Sequence, residues 1–173
     1  MKLNYIIEII IIIIIIIILN NLICRSILQE PIPYLDINRK GAKVLVLSCI
    51  DPRFTERLAH FLIHDEQIHA DYDLINLAGA SLGVLQEKYP SWKTMFYDHV
   101  NLAIDLHNIK EIWCFDHLDC GMYKATLGLE EDLDTSTHNH NISELANIIK
   151  EKYPKIKFKG FIILTDGNIV PAK

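Results

Sequence analysis

Hydrophobic positions follow two regimes along this 173-residue chain. Ile6, Ile7 and Ile9 through Ile18 form a nearly continuous isoleucine run, whereas beyond about position 30 short apolar runs alternate with amphipathic stretches. Lys43-Val44-Leu45-Val46-Leu47-Ser48 is short and branched, which predicts a buried strand. Pro52 prevents simple continuation of its ladder. Phe54 to Ile63 has helical spacing, with Phe54, Leu58 and Phe61 or Leu62 on one face. Tyr72 to Leu77 predicts a second strand, ending at Ala78-Gly79-Ala80-Ser81. Ser91 suits the N-cap of a helix from Trp92 to His107, with an apolar stripe of Trp92, Met95, Phe96, Val100, Ala103, Ile104 and Leu106. Glu111 to Asp116 predicts a third strand that delivers His117. Thr135 to Asn141 reads as a polar loop, and Ser143 as the cap of a helix through Lys152. Ile156 to Leu164 predicts a fourth strand, followed by an Asp166-Gly167 turn. Strands alternating with helices imply an α/β domain with a mainly parallel central sheet flanked by helices.

The isoleucine run changes the picture at the N-terminus. Its uninterrupted part, Ile9 to Leu19, is shorter than the about 20 apolar residues of a membrane span. Residues 3–23 reach that length only by including Asn4, Glu8, Asn20 and Asn21. Residues 1–30 are therefore expected to be a hydrophobic leader or membrane anchor, and residues 31–173 the folded domain, with Pro31-Ile32-Pro33 as linker. A cleaved leader implies a secreted or periplasmic domain. A retained segment implies membrane association, and Arg25, Arg39, Lys40 and Lys43 would then hold the domain on the cytoplasmic side. The alternative is a low-complexity extension from a wrongly placed start codon, which leaves a cytoplasmic protein.

The net charge of −5 is mild and no basic stripe is present, which argues against nucleic acid as a partner. The 50% hydrophobic fraction is inflated by the isoleucines. Of four cysteines, Cys114 lies inside an apolar run and reads as an inert core residue, while Cys24 follows the isoleucine segment. Their spacing suggests no disulfide scaffold. Cys49 and Cys120 remain as the chemically interesting pair.

Cys49 opens Cys49-Ile50-Asp51-Pro52-Arg53, and Cys120 closes His117-Leu118-Asp119-Cys120 before Gly121. Taken singly, these are a strand-end thiol, a small residue at a turn and a satisfied polar side chain. Taken together, two thiolates and an imidazole form a donor set suited to one zinc ion. Three protein ligands leave the fourth tetrahedral position open, the arrangement of a catalytic rather than a structural site. Both motifs fall at the carboxyl ends of predicted strands, where open α/β sheets bind ligands. Arg53 is four residues after Cys49, too close for a C-x5-R phosphatase loop, and there is no C-x-x-C redox pair.

These motifs resemble the C-x-D-x-R and H-x-x-C signatures of the β-class carbonic anhydrases, in a divergent branch. The resemblance covers roughly Lys43 to Met122 and weakens towards Asp166-Gly167. It implies zinc on Cys49, His117 and Cys120, and reversible hydration of carbon dioxide to bicarbonate by a zinc-bound hydroxide. Asp51 would accept the proton of that hydroxide and Arg53 would hold Asp51 off the metal. If that pair breaks, Asp51 could itself ligate zinc and close the site. The resemblance also implies a homodimer or higher homo-oligomer. The chain departs from the family where many members carry V-R-N-A-G-N: here the stretch is Ile75-Asn76-Leu77-Ala78-Gly79-Ala80, without the Arg that serves bicarbonate regulation. A counterpart of the substrate-pocket Gln before the first strand is also missing. Related branches hydrolyse carbonyl sulfide or carbon disulfide on the same ligands, and a non-catalytic zinc-binding module is the alternative outside enzymes. His60, His64, His138 and His140 read as solvated surface histidines, and Asp119 as an acceptor behind the ligands.

Overall fold

The computed structural model describes residues 11–19, 38 and 40–173. The chain divides into two units, Met1–Arg39 and Lys40–Lys173. In the first, residues 11–19 are helical with exposed side chains. The rest of the leader, Cys24 and the Pro31-Ile32-Pro33 linker lie outside the described residues. Among the described residues no helix is long and apolar enough to cross a membrane.

The second unit is built on five strands in the order β2-β1-β3-β4-β5: β1 Val44–Ser48, β2 Tyr72–Asn76, β3 Glu111–His117, β4 Lys157–Ile163 and β5 Ile169–Pro171. The first four run parallel, and β5 returns antiparallel on β4. The fifth strand, which the apolar pattern does not announce, is three residues long and ends at Pro171 on the sheet edge, where proline removes no ladder bond. Every residue of β1 is buried. Leu45 and Leu47 enter one core with Val84, Phe96, Val100, Leu145 and Ile149, while Val44 and Val46 enter another with Leu58, Phe61, Trp113 and Phe161. This alternation follows from the two-residue strand period, and it places apolar packing on both faces of the sheet.

The helices are α1 Thr55–His60, α2 Ala80–Leu85, α3 Pro90–His107, α4 Gly121–Leu127 and α5 Thr135–Lys152. A 3-10 turn, Pro52–Phe54, precedes α1, and a π-helical turn, Phe61–Asp65, follows it. Three expectations are corrected. Helix α3 begins at Pro90 rather than Trp92, because proline has the backbone angle of the first helical position; Ser91 lies inside and makes no cap. Its stripe is narrower than read, with Phe96, Val100 and Ala103 buried but Leu106 exposed. Residues Thr135–Asn141 are helix rather than loop, since Asp134 caps α5 by accepting from the Ser136 N–H at 2.9 Å, and Ser143 lies mid-helix.

Two glycines let the turn between β2 and α2 pack closely, Gly79 against Met122 of α4 and Gly83 against the end of β2. Gly79 has a left-handed φ of +76°, and a Cβ there would lie 2.8 Å from Met122 Cγ. A Cβ on Gly83 would collide with the Ala78 carbonyl oxygen and press on Leu77. Gly83→Ala is therefore expected to destabilise the domain by about 1–3 kcal/mol, the usual range for overpacking, measured by urea unfolding. An unchanged midpoint would mean that α2 shifts freely away from Ala78.

Candidate metal centre

Strand β1 delivers Cys49 and β3 delivers His117 to the same carboxyl-terminal end of the sheet, because the parallel register sets Ser48 beside Phe115. Past Cys49 the chain turns sharply: Asp51 caps the 3-10 turn by accepting from Arg53 N–H at 3.0 Å, and Pro52 occupies the first turn position. The cap makes Asp51 and Arg53 neighbours, and the Arg53 side chain then folds back onto the same carboxylate. Nε lies 3.0 Å from Oδ1, and Nη2 lies 2.7 Å from Oδ2. Past His117, Asp119 adopts a left-handed φ of +59°, a conformation that Asp tolerates better than most residues, and Cys120 is placed at the N-terminus of α4.

The three predicted ligand residues converge. The Sγ atoms of Cys49 and Cys120 are 3.9 Å apart, and the ligand atoms of Cys49, His117 and Cys120 all lie within 4.8 Å of one another. Cys120 and His117 are buried and Cys49 is half-buried. His117 Nδ1 donates to the Leu118 carbonyl at 2.9 Å, which leaves the Nε2 lone pair free. That Nε2 is the one buried side-chain nitrogen or oxygen without a hydrogen-bond partner among the described residues. Such an orphan is costly in a folded protein unless something absent from the protein chain meets it. The sulfur separation also fits: two zinc–sulfur bonds of about 2.3 Å at a tetrahedral angle put the sulfurs about 3.8 Å apart. The donor set and its spacing therefore suit a metal ion.

Charge is arranged around the cluster. The Cys49 thiol is pulled down to about 4, first by the Cys120 S–H that faces it, against its own burial; His117 and the Gly79 N–H, 3.3 Å from the sulfur, add to the effect. Cys120 moves the opposite way, because it donates to Cys49 and is buried. The pair thus shares one proton that a divalent cation would readily displace. Burial lowers the His117 pKa, but Cys49, the Leu118 carbonyl and Asp51 outweigh it and leave it raised. Asp51 Oδ2 is 3.9 Å from His117 Nε2. Arg53 holds the Asp51 carboxyl below its ordinary value.

Arg53 is more than one half of a surface pair. It also donates from Nη1 to Asp119 Oδ2 at 2.8 Å and from Nη2 to the Asp119 carbonyl at 3.0 Å, tying the first motif to the second. Asp119 in turn accepts from Lys124 Nζ at 2.6 Å, so its carboxylate serves cations rather than the ligands. The Phe54 ring packs on His117 with centroids 4.5 Å apart. His60, His64 and His140 are exposed and take no part.

His138, read as a surface residue, is instead fully buried, and it joins Asp116 and Asp132 behind the cluster. A signal for this exists in the chain: positions 138, 142, 145 and 149 keep helical spacing. Histidine simply does not score as apolar, so the apolar stripe starts at Ile142. Cys114 is buried and its thiol is pushed well up by desolvation, as expected of an inert core cysteine.

Residues 39–172 match the family model described as "Putative carbonic anhydrase". Over 132 residues the chain is 35% identical to an uncharacterized protein of Rickettsia bellii, spanning 74% of this chain and 80% of that one. It is 33% identical over 132 residues to one of Rickettsia conorii, spanning 74% and 70%. The carbonic anhydrase of Glaciozyma antarctica superposes with a TM-score of 0.53 at 17% identity, over 90% of this chain and 95% of that one. That of Streptococcus mutans gives 0.47 at 18% identity, over 77% and 84%. At such identities the structural likeness is one of fold. The match to the family model over most of the chain, with the curated relatives beside it, places this protein in the carbonic anhydrase family that the model describes.

Proposed function

We propose that this protein is a zinc enzyme that hydrates carbon dioxide reversibly to bicarbonate. The observation that carries the reading is the buried, unpartnered Nε2 of His117, facing the Cys49 and Cys120 sulfurs. Cys49, His117 and Cys120 would hold the ion. Bound zinc supplies a Lewis acid that brings the pKa of a water molecule down towards neutrality. Two thiolates donate more charge than imidazoles would, and N–H donors to sulfur partly withdraw it. Gly79 provides one to Cys49, and Tyr123 and Met122 provide others to Cys120.

Asp51 is the acceptor of the site. Arg53 keeps it ionised, so it can take a hydrogen bond from a reactant oxygen and fix the direction of that oxygen's lone pairs. The Arg53 clamp also turns both Asp51 oxygens towards the guanidinium, which disfavours collapse of the carboxylate onto a metal. Phe54, against His117, gives the site an apolar wall suited to a small uncharged substrate.

Stopped-flow hydration of carbon dioxide by the full chain, with zinc measured on the same sample, tests the reading. Zinc-dependent turnover is expected; a zinc-loaded protein without turnover rejects carbon dioxide and directs the assay to carbonyl sulfide. Asp51→Asn is expected to keep stoichiometric zinc and lose on the order of 10²-fold in kcat near neutral pH, the scale for losing one oriented hydrogen-bond partner. Unchanged turnover removes the orienting role. Cys120→Ser is expected to lose zinc together with activity, and full zinc occupancy would take Cys120 out of the ligand set.

Arg53 also makes stability depend on pH. Asp51 is held below its ordinary 3.8 and Asp119 down to about 2, each chiefly by Arg53. Carboxyls depressed in the folded state stabilise it fully above their ordinary values, and that stabilisation is lost as pH falls through the folded values. With chelator present, Arg53→Ala should lower the urea midpoint at pH 6, and the difference should shrink as pH approaches 2. A difference independent of pH would assign the effect to the guanidinium over the Phe54 ring, 5.3 Å from its centroid.

A further inference from the structure

Two turns present the cluster, and each contains a strained residue. Ala80, just after Gly79, has a φ of +38°, and Asp119, just before Cys120, has +59°. Left-handed backbone at non-glycine residues persists only where the surroundings enforce it. In both turns the amide that follows the strained residue donates to a buried carboxylate. Ser81 N–H donates to Asp116 Oδ1 at 3.0 Å, and Cys120 N–H donates to Asp132 Oδ2 at 2.9 Å. The first turn matters because Gly79 N–H donates to Cys49 Sγ; the second carries Cys120 itself.

One side chain joins these two carboxylates. His138 Nδ1 is 3.2 Å from Asp116 Oδ2, and Nε2 is 3.0 Å from Asp132 Oδ1. Carboxylates only accept, so an imidazole bonded to both must donate from both nitrogens. His138 is fully buried, as is Asp116, and Asp132 is nearly so. Ser81 and Tyr123 hydroxyls, each 2.6 Å from Asp116 Oδ2, complete its shell, and Asn141 Nδ2 holds the Tyr123 oxygen at 3.0 Å. Burial alone would lower the pKa of His138, but Asp116 and Asp132 outweigh it and raise it, in keeping with the doubly donating ring.

We propose that His138 is a positioning residue of the metal centre: by bonding both Asp116 and Asp132 it locks the two left-handed turns that set the Cys49 and Cys120 sulfurs at metal-binding distance. This rests on the metal-centre reading above and adds that the affinity of the cluster is set from behind the ligands. Without the bridge Asp132 keeps only the Cys120 amide and Asp116 loses the one donor that ties it to Asp132, so the two turns are no longer held together and the sulfurs separate.

The test uses the full chain, zinc affinity from chelator competition, and the thiolate-to-metal charge-transfer band of the cobalt(II)-loaded protein. Wild type should bind one cobalt with that band. His138→Gln and Asp132→Ala should weaken zinc binding by about tenfold or more, the scale for losing a partner that orients a ligand, and should shift the band. Asp132→Asn keeps an acceptor for the Cys120 amide and can donate to a neutral His138, so it should restore both readouts to near wild type. Asn141→Ser loosens the far end of the network; it should lower Tm and leave the band unmoved. Wild-type affinity and band in both His138→Gln and Asp132→Ala overturn the proposal, as does an Asp132→Asn protein no better than Asp132→Ala. Removing one partner of a buried charged group can prevent folding. If His138→Gln does not fold, the two Asp132 variants decide alone. A wild-type protein that binds cobalt without a thiolate band, or none at all, overturns the metal-centre reading itself and this proposal with it.

Discussion

Parallel pairing of β1 with β3 brings two strand ends to one end of the sheet, and the site depends on what happens in the few residues beyond them. Within a residue or two of Ser48, Asn76 and His117 the ladder stops, so the backbone groups that follow must find new partners or face water. The chain resolves this with tight turns whose amides are met by side chains: Asp51 on Arg53, Asp116 on Ser81, Asp132 on Cys120. Three carboxylates thus replace the missing ladder. Each fixes a turn that carries, or leans on, one sulfur or its neighbours. Convergence of Cys49, His117 and Cys120 is a consequence of this replacement and of the register beneath it.

The carboxylates are divided by burial into two kinds with different physics. Asp51 and Asp119 meet solvent and share Arg53, itself half exposed. Exposed ion pairs of this sort contribute little to stability individually, so their role is orientation: one planar guanidinium spans both motifs. Asp116 and Asp132 lie behind the cluster, buried away from bulk solvent. There an unpaired charge would be strongly destabilising, and His138, two hydroxyls and two amides supply the partners. The solvent side of the cluster is therefore tied by exposed ion pairs and the inner side by buried hydrogen-bonded ones.

Much of this was legible in the chain. The strands around Val46, Ile75, Phe115 and Phe161 stand out because branched and aromatic residues cluster in short bounded runs. The two motifs stand out because thiols, an imidazole and an Asp-Arg pair are rare in such proximity. What sequence missed has a common cause. Helix α5 opens with Thr135, Ser136, Thr137, His138, Asn139, His140 and Asn141, all poor helix formers, and two of the seven, His138 and Asn141, are buried for their polar atoms rather than their apolar surface. Hydrophobic periodicity cannot see a buried polar stripe. Strand β5 escaped for a different reason: three residues beside a turn owe their strand character wholly to pairing with β4.

The divergent turn after β2 gains a reason from the same network. The V-R-N-A-G-N stretch that many β-class carbonic anhydrases carry has Asn where this chain has Ala80, and Arg where it has Asn76. Asn76 accepts from the Ser48 hydroxyl at 3.3 Å, closing the end of the β1–β2 pair with a neutral bond. Asn enters the left-handed region readily, whereas for alanine the conformation costs roughly 1–2 kcal/mol. Ala80 at +38° therefore needs a restraint from outside its own turn. Ser81 provides it twice, since its amide and its hydroxyl both bond Asp116. A turn without a residue of intrinsic preference for its conformation must be held by tertiary contacts, and here the contact is the carboxylate immediately before His117. The Ser81–Asp116 bonds thus hold the turn from which the Gly79 amide reaches Cys49.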